Sequence, residues 1–353
     1  MSTPVSSAPT PEALPDKPGG HHTGLIIGAI IVTLAIIAGI VFAIAKNTGH
    51  DFAADGKTTV KIGTTEAAND YWNVIKKKAA AEGINIEVVS FNDYTQPNVA
   101  LSQGQIDLNA FQHLLFLADY DAKNNDNITA LAATYVVPLN IYSKKYQRLS
   151  QLPTGATIAI PNDAANQGRA LLVLQEAGLV KLRGSGSALS TPADVLANQS
   201  KVKVKAIDAA QTAASLEGVD GAVVNNNFAT DAGLDRSKVL YHDDATGKSA
   251  DPYLNIIAVK DADKNNPTYQ KVAKLWSDPD VKKAIVKQSG GTAKIASDRP
   301  KADLDNILSD LTTNIKKVEF LIRIRFPVRP FTWQQTSHLL QRRSVPTTSS
   351  SST

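Results

Sequence analysis

Residues 156–174 read ATIAIPNDAANQGRALLVL. The first five, 156–160, form an apolar run of strand length, and Pro161-Asn162-Asp163 ends it. From Asn166 to Ala177 the spacing of apolar residues predicts a helix. A strand that feeds directly into a helix is the unit of an open α/β sheet, and ligands there lie beyond the carboxyl ends of the strands. The helix start offers free N–H groups and the positive end of its dipole to an anion. Arg169 stands one turn inside this helix and is followed by Ala170-Leu171-Leu172-Val173-Leu174. A guanidinium in so apolar a context must reach solvent or meet an anion, and its planar fork matches a carboxylate.

The same alternation extends to both sides. Strands are expected at 60–63, 84–91, 130–135, 202–208, 221–224 and 254–259. Helices are expected at 66–82, 97–103, 114–123, 268–277, 281–289 and 302–315. Short strands alternating with longer helices imply parallel sheets with crossover helices, and the length of this region suits two α/β lobes.

Outside it the composition changes. Residues 1–23 are rich in Pro and Ser and are expected to be disordered. Residues 24–45, GLIIGAIIVTLAIIAGIVFAIA, contain no charge, and as a helix they would span about 33 Å, enough to cross a bilayer once. Ala43-Ile44-Ala45 resembles a signal-peptidase site, but the apolar run exceeds the usual signal core, which favours an uncleaved anchor. Residues 46–57 then form a linker, and 319–353 a basic low-complexity tail, disordered or in contact with anionic lipid or nucleic acid.

Charge and composition exclude several function classes. Residues 318–353 carry five arginines and one glutamate, whereas 58–317 hold 29 basic and 28 acidic groups, so the body has no charge excess for a nucleic acid. The absence of cysteine excludes disulfides, thiolate metal sites and a cysteine nucleophile. The six histidines have no metal-ligand spacing, and there is no Walker loop, dinucleotide fingerprint or nucleophile elbow. Neither a catalytic residue nor a cofactor or metal is expected.

Four further polar–aromatic clusters fall at strand ends: Phe91 to Asn98, Asn109 to His113, Val224 to Phe228, and Asp251 to Asn255. Each has a plain structural use. Asn162, Asp163 and the Asn225–Asn227 run can cap helices, Tyr94 and Phe111 can fill a core, and His113 can start a helix. Taken together, neutral amides, aromatic rings and one arginine suit a zwitterionic, partly apolar small molecule. The set offers no poised acid–base pair, so it reads as a binding site rather than a reaction centre.

In order, the stretches VVSFNDYTQPNVALSQGQID, NAFQHLLFL, IYSKKYQRLSQLPTGATIAIPNDAANQGRALLVLQEAGLVKL, AVVNNNFATDAGL and PYLNIIAV resemble the methionine-binding lipoprotein family, the solute receptors of methionine ABC importers. The resemblance covers roughly residues 58–295. It implies a two-lobed periplasmic-binding-protein fold of type 2, with 58–140 and 252–318 as the first lobe and 141–251 as the second. By analogy the chain crosses between lobes near 138–142 and 252–257. Tyr94, Phe111 and His113 would line the side-chain pocket. Arg169 would grip the ligand carboxylate with support from Asn166, and Asn225 and Asn255 would hold the head group. The implied partners are methionine or a related amino acid, an ABC permease, and the membrane through residues 24–45, with the binding domain on the extracytoplasmic side. The family's lipid-bearing cysteine is missing, and the apolar segment would replace it as anchor. A different amino acid, a methionine-containing dipeptide, or a macromolecular partner at the cell surface remain the alternatives.

Overall fold

The computed structural model describes residues 58–325. The segments 1–23, 24–45 and 46–57, and the tail beyond Arg325, lie outside them. In chain order the strands are β1 (Thr58–Thr64), β2 (Ile84–Ser90), β3 (Leu108–His113), β4 (Ile128–Ala133), β5 (Tyr135–Val136), β6 (Asn140–Tyr142), β7 (Thr157–Pro161), β8 (Lys203–Ile207), β9 (Gly221–Val224), β10 (Tyr241–His242), β11 (Asn255–Lys260) and β12 (Lys294–Ile295). The α-helices are α1 (Tyr71–Ala81), α2 (Pro97–Ser102), α3 (Leu114–Asn124), α4 (Ala164–Glu176), α5 (Thr212–Ser215), α6 (Asn226–Asp231), α7 (Pro267–Lys274), α8 (Pro279–Gln288) and α9 (Lys301–Arg325).

The inner strands are apolar on both faces because helices cover both. Strand β9 is buried throughout, and Val60 and Ile62 of β1 are fully buried. Two five-stranded sheets result, ordered β2-β1-β3-β11-β4 and β10-β6-β9-β7-β8. One face of the first sheet packs Trp72, Ile75, Trp276 and Val281 from α1, α8 and the turn between α7 and α8. The other face packs Leu114, Leu115 and Leu117 of α3 and Leu304, Leu308 and Ile315 of α9. The second sheet buries Leu171, Val173 and Leu174 of α4 on one face and Ala209, Ala213 and Phe228 on the other. Each large side chain buried in these layers contributes about 1.5–3 kcal/mol.

Three expectations need correction. Not all strands are parallel: β11 runs antiparallel to both β3 and β4, and β6 antiparallel to β9. The chain leaves the first sheet after β4, builds the second from β6 to β10, and returns as β11, which reverses the direction of the returning strand. Helix α1 begins at Tyr71 rather than near residue 66, because the Glu66 carbonyl accepts from Trp72 Nε1 at 3.0 Å and holds 66–70 as a loop. Finally, α9 continues past residue 315 to Arg325, so the first part of the expected low-complexity tail is helical. Residues 316–325 contain neither Gly nor Pro, and Pro327 is the first breaker. Among the described residues no helix is long and apolar enough to cross a membrane.

Candidate functional site

Strand ends and helix starts from both sheets converge on one cavity. All seven residues singled out in the sequence line it: Tyr94, Phe111, His113, Asn166, Arg169, Asn225 and Asn255. So do Glu66, Gln112, Phe116, Val137, Asn226 and Asn227. The space between atoms there, counted together with open solvent at its mouth, is about 460 Å³.

Each side chain is placed by local structure. Asp163 caps α4 by accepting from the Asn166 N–H at 2.9 Å, which sets Asn166 on the first turn of the helix and Arg169 on the second. Gly168 lies between them because a Cβ there would stand 2.0 Å from the Ala188 carbonyl oxygen. His113 ends β3 and caps α3, its Nδ1 accepting from the Phe116 N–H at 3.2 Å. That bond places the proton on Nε2, 3.4 Å from Asn166 Oδ1. Asn225 Nδ2 donates to the same oxygen at 2.8 Å. Asn255 opens β11 and donates to the Tyr135 carbonyl at 3.1 Å.

Arg169 meets an anion, and that anion is part of the protein. Its Nε donates to Asp243 Oδ2 at 2.7 Å and its Nη2 to Asp243 Oδ1 at 3.2 Å and to the Val137 carbonyl at 2.9 Å. Asp243 also accepts from the Leu139 N–H at 2.8 Å, which ties the pair to the segment joining β5 and β6. The guanidinium lies over the Tyr253 ring at 4.2 Å. Nη1 takes part in none of these bonds. Around it, Tyr94 packs against Phe111, Phe116 and Phe228 with ring centroids 5.9, 5.8 and 5.0 Å apart. Tyr94 Oη donates to Asn227 Oδ1 at 2.5 Å, a bond between the two halves of the cavity wall. Asn225 Oδ1 is buried with no hydrogen-bond partner among the described residues.

A family model described as NlpA lipoprotein matches residues 60–297. The chain belongs to the NlpA lipoprotein family. It is 35% identical over 251 residues to a probable D-methionine-binding lipoprotein MetQ of Haemophilus influenzae, covering 70% of this chain and 90% of that one. The substrate binding protein of a methionine transporter from Streptococcus pneumoniae is 38% identical and superposes with a TM-score of 0.63, covering 67% of this chain and 95% of that one. A nutrient binding protein from Burkholderia cenocepacia bound to methionine is 39% identical with a TM-score of 0.63, covering 67% and 99%.

In this NlpA-family chain the electrostatics follow from burial. Desolvation, and then the Arg169 charge, push the His113 imidazole down to about 3, so it is neutral near pH 7. Burial raises the Glu66 carboxyl above its ordinary value, opposed by bonds from the Tyr135 and Tyr71 hydroxyls at 2.7 and 2.9 Å. Burial likewise raises Asp163, whose Oδ2 has no hydrogen-bond partner among the described residues.

Sequence reasoning missed Glu66, Asp243, Phe116 and Asn227 as site residues. Glu66 follows β1 and obeys the same strand-end rule as the others, but the helix expected from residue 66 absorbed it. Phe116 reads as one more apolar helix residue. Asp243 pairs with a residue 74 positions away and carries no local signal.

Proposed function

We propose that this chain is an extracytoplasmic solute-binding protein that captures methionine and delivers it to an ABC import permease. The observation that carries this reading is the polar pair at the cavity wall: Arg169 with Nη1 outside its Asp243 pairing, and the buried, partnerless acceptor Asn225 Oδ1. The first suits a carboxylate and the second an ammonium, the two groups of a free amino acid. The Tyr94, Phe111 and Phe116 rings give a thioether side chain a polarizable apolar wall. Asn255 completes the head-group contacts, and Asn166 orients Asn225 and His113. Methionine in the relatives' names and in the related complex agrees with this chemistry.

In this reading residues 58–140 with 252–318 form one lobe and 141–251 the other, and the ligand is held by closure between them. Residues 24–45 anchor the chain in the membrane by a single span. The protein acts by binding and release and performs no chemistry on its ligand.

The test is calorimetric titration of the full chain and of Arg169→Ala with methionine. Loss of a charge-assisted contact weakens binding at least tenfold, about 1.4 kcal/mol. Unchanged affinity removes Arg169 from the site. Tighter binding of another amino acid or of a methionine-containing dipeptide would reassign the ligand.

A further inference from the structure

Helix α9 has two apolar faces, and the protein covers one of them. Leu304, Leu308 and Ile315 are buried against α3 and the first sheet. Beyond Ile315 the pattern turns. The large apolar residues left exposed among the described residues are Val318, Phe320, Leu321 and Ile324, at 40, 63, 63 and 61%. At 3.6 residues per turn, Phe320 lies about 140° and Ile324 about 180° around the axis from Ile315. The stripe of Phe320, Leu321 and Ile324 is therefore not a continuation of the core stripe, whereas Val318, about 60° from Ile315, borders it. A helix end about ten residues long is marginal in water without a partner to pack on.

Charge selects the partner. Residues 316–325 hold Lys316, Lys317, Arg323 and Arg325 against one acid, Glu319, and residues 326–353 add three arginines and no acid. The chain's own tail and a second copy of this helix carry the same sign and would repel it. Nucleic acid would match the charge but gives a phosphate backbone nothing to place against Phe320, Leu321 and Ile324. A surface that is both anionic and apolar just below its headgroups satisfies both requirements.

We infer that the C-terminal end of α9, from Lys316 to Arg325, is an interfacial helix that lies on an anionic lipid surface through Phe320, Leu321 and Ile324. The inference is independent of the methionine reading. It gives the protein a second contact with the membrane, at the far end of the sequence from residues 24–45.

Because the chain contains no cysteine, Phe320→Cys provides a single labelling site in the full-length protein. An environment-sensitive fluorophore at this position is read on neutral phosphatidylcholine vesicles and on vesicles with one quarter phosphatidylglycerol. A label at exposed Lys205, as Lys205→Cys, is the control for vesicle attachment elsewhere in the chain. The expected result is a blue shift at position 320 on the anionic vesicles only, with no shift at 205. Lys316→Glu with Lys317→Glu should reduce the lipid titration at position 320 at least tenfold. Identical responses at 320 and 205 would overturn the inference. So would a shift at 320 that grows with protein concentration without lipid, which assigns the face to a second copy, or one produced by duplex DNA and not by vesicles.

Discussion

Replacing Asp243 by Ala leaves the Arg169 guanidinium without its anion in a site where the two side chains are 6 and 12% exposed. Three bonds vanish at once: two from Arg169 and one from the Leu139 N–H. Breaking a buried pair by removing one partner costs about 3–5 kcal/mol, because the remaining charge stays desolvated. For a body of this size that lowers Tm by roughly 6–20 °C. The loss should be partly recoverable. Methionine's carboxylate is an anion, and in the variant it meets an unpaired guanidinium instead of one already held by Asp243. Differential scanning calorimetry, with and without saturating methionine, reads both effects. The methionine-induced rise in Tm should be larger in Asp243→Ala than in the parent protein, since ligand bound to the folded state stabilises it by mass action. A Tm within about 2 °C of the parent would show that the pair is not buried as described. A large fall that methionine leaves unchanged would show that ligand does not reach Arg169.

Gly168→Ala drives a Cβ to 2.0 Å from the Ala188 carbonyl oxygen, so α4 must move. Stability should fall by at least about 1–3 kcal/mol in denaturant titration, and methionine affinity should fall with it because Arg169 is the next residue. His113→Gln tests the neutral imidazole. With the folded value near 3, the unfolded chain takes up a proton below about pH 6.5 while the folded one does not, so stability is lost as pH falls between those values. Burial-raised Glu66 and Asp163 act in the opposite sense, so the readout is the difference between variant and parent. Between pH 6 and 4 the variant should lose less stability, by up to about 1.4 kcal/mol per pH unit, and parallel curves would refute a buried neutral His113. Glu66→Gln keeps the shape beside the two tyrosine hydroxyls and removes the charge. Methionine binding measured by calorimetry should weaken about tenfold, about 1.4 kcal/mol, and unchanged affinity would take Glu66 out of the ligand contacts.

Much of the site was legible because strand ends carry local signatures. Asn166 and Arg169 follow a strand and a capping Asp163, and Asn225 follows the strand at 221–224, so polar side chains at those points have few places to go but the cleft. What the sequence did not disclose is pairing. Asp243 sits in His242-Asp243-Asp244-Ala245-Thr246-Gly247, a run that reads as a turn, and nothing local indicates that it will neutralise Arg169. Strand direction was equally hidden. The apolar run of β11 looks the same parallel or antiparallel, and its direction is set by the chain's return from the second sheet, a non-local fact. The length of α9 is hidden for another reason. An abrupt change of composition toward arginine suggests a change of structure, although helix propensity continues unbroken to the residues before Pro327.

The charges of the site, considered together, explain why a free amino acid is the ligand class that fits. Asp243 cancels Arg169 before any ligand arrives, and burial holds His113 neutral. Burial also disfavours the Glu66 carboxylate, while two tyrosine hydroxyls stabilise it, and an incoming ammonium would favour its ionised form. A purely anionic ligand would find Arg169 already matched and bring one uncompensated charge into a desolvated cavity. A purely cationic one would satisfy Glu66 and Asn225 Oδ1 but leave Arg169 Nη1 with nothing to donate to. Either mismatch costs several kcal/mol at low dielectric. A zwitterion adds no net charge and supplies both a carboxylate for Nη1 and an ammonium for the acceptors. The aromatic wall of Tyr94, Phe111 and Phe116 then distinguishes among amino acids by side chain, because only the head group is matched by charge.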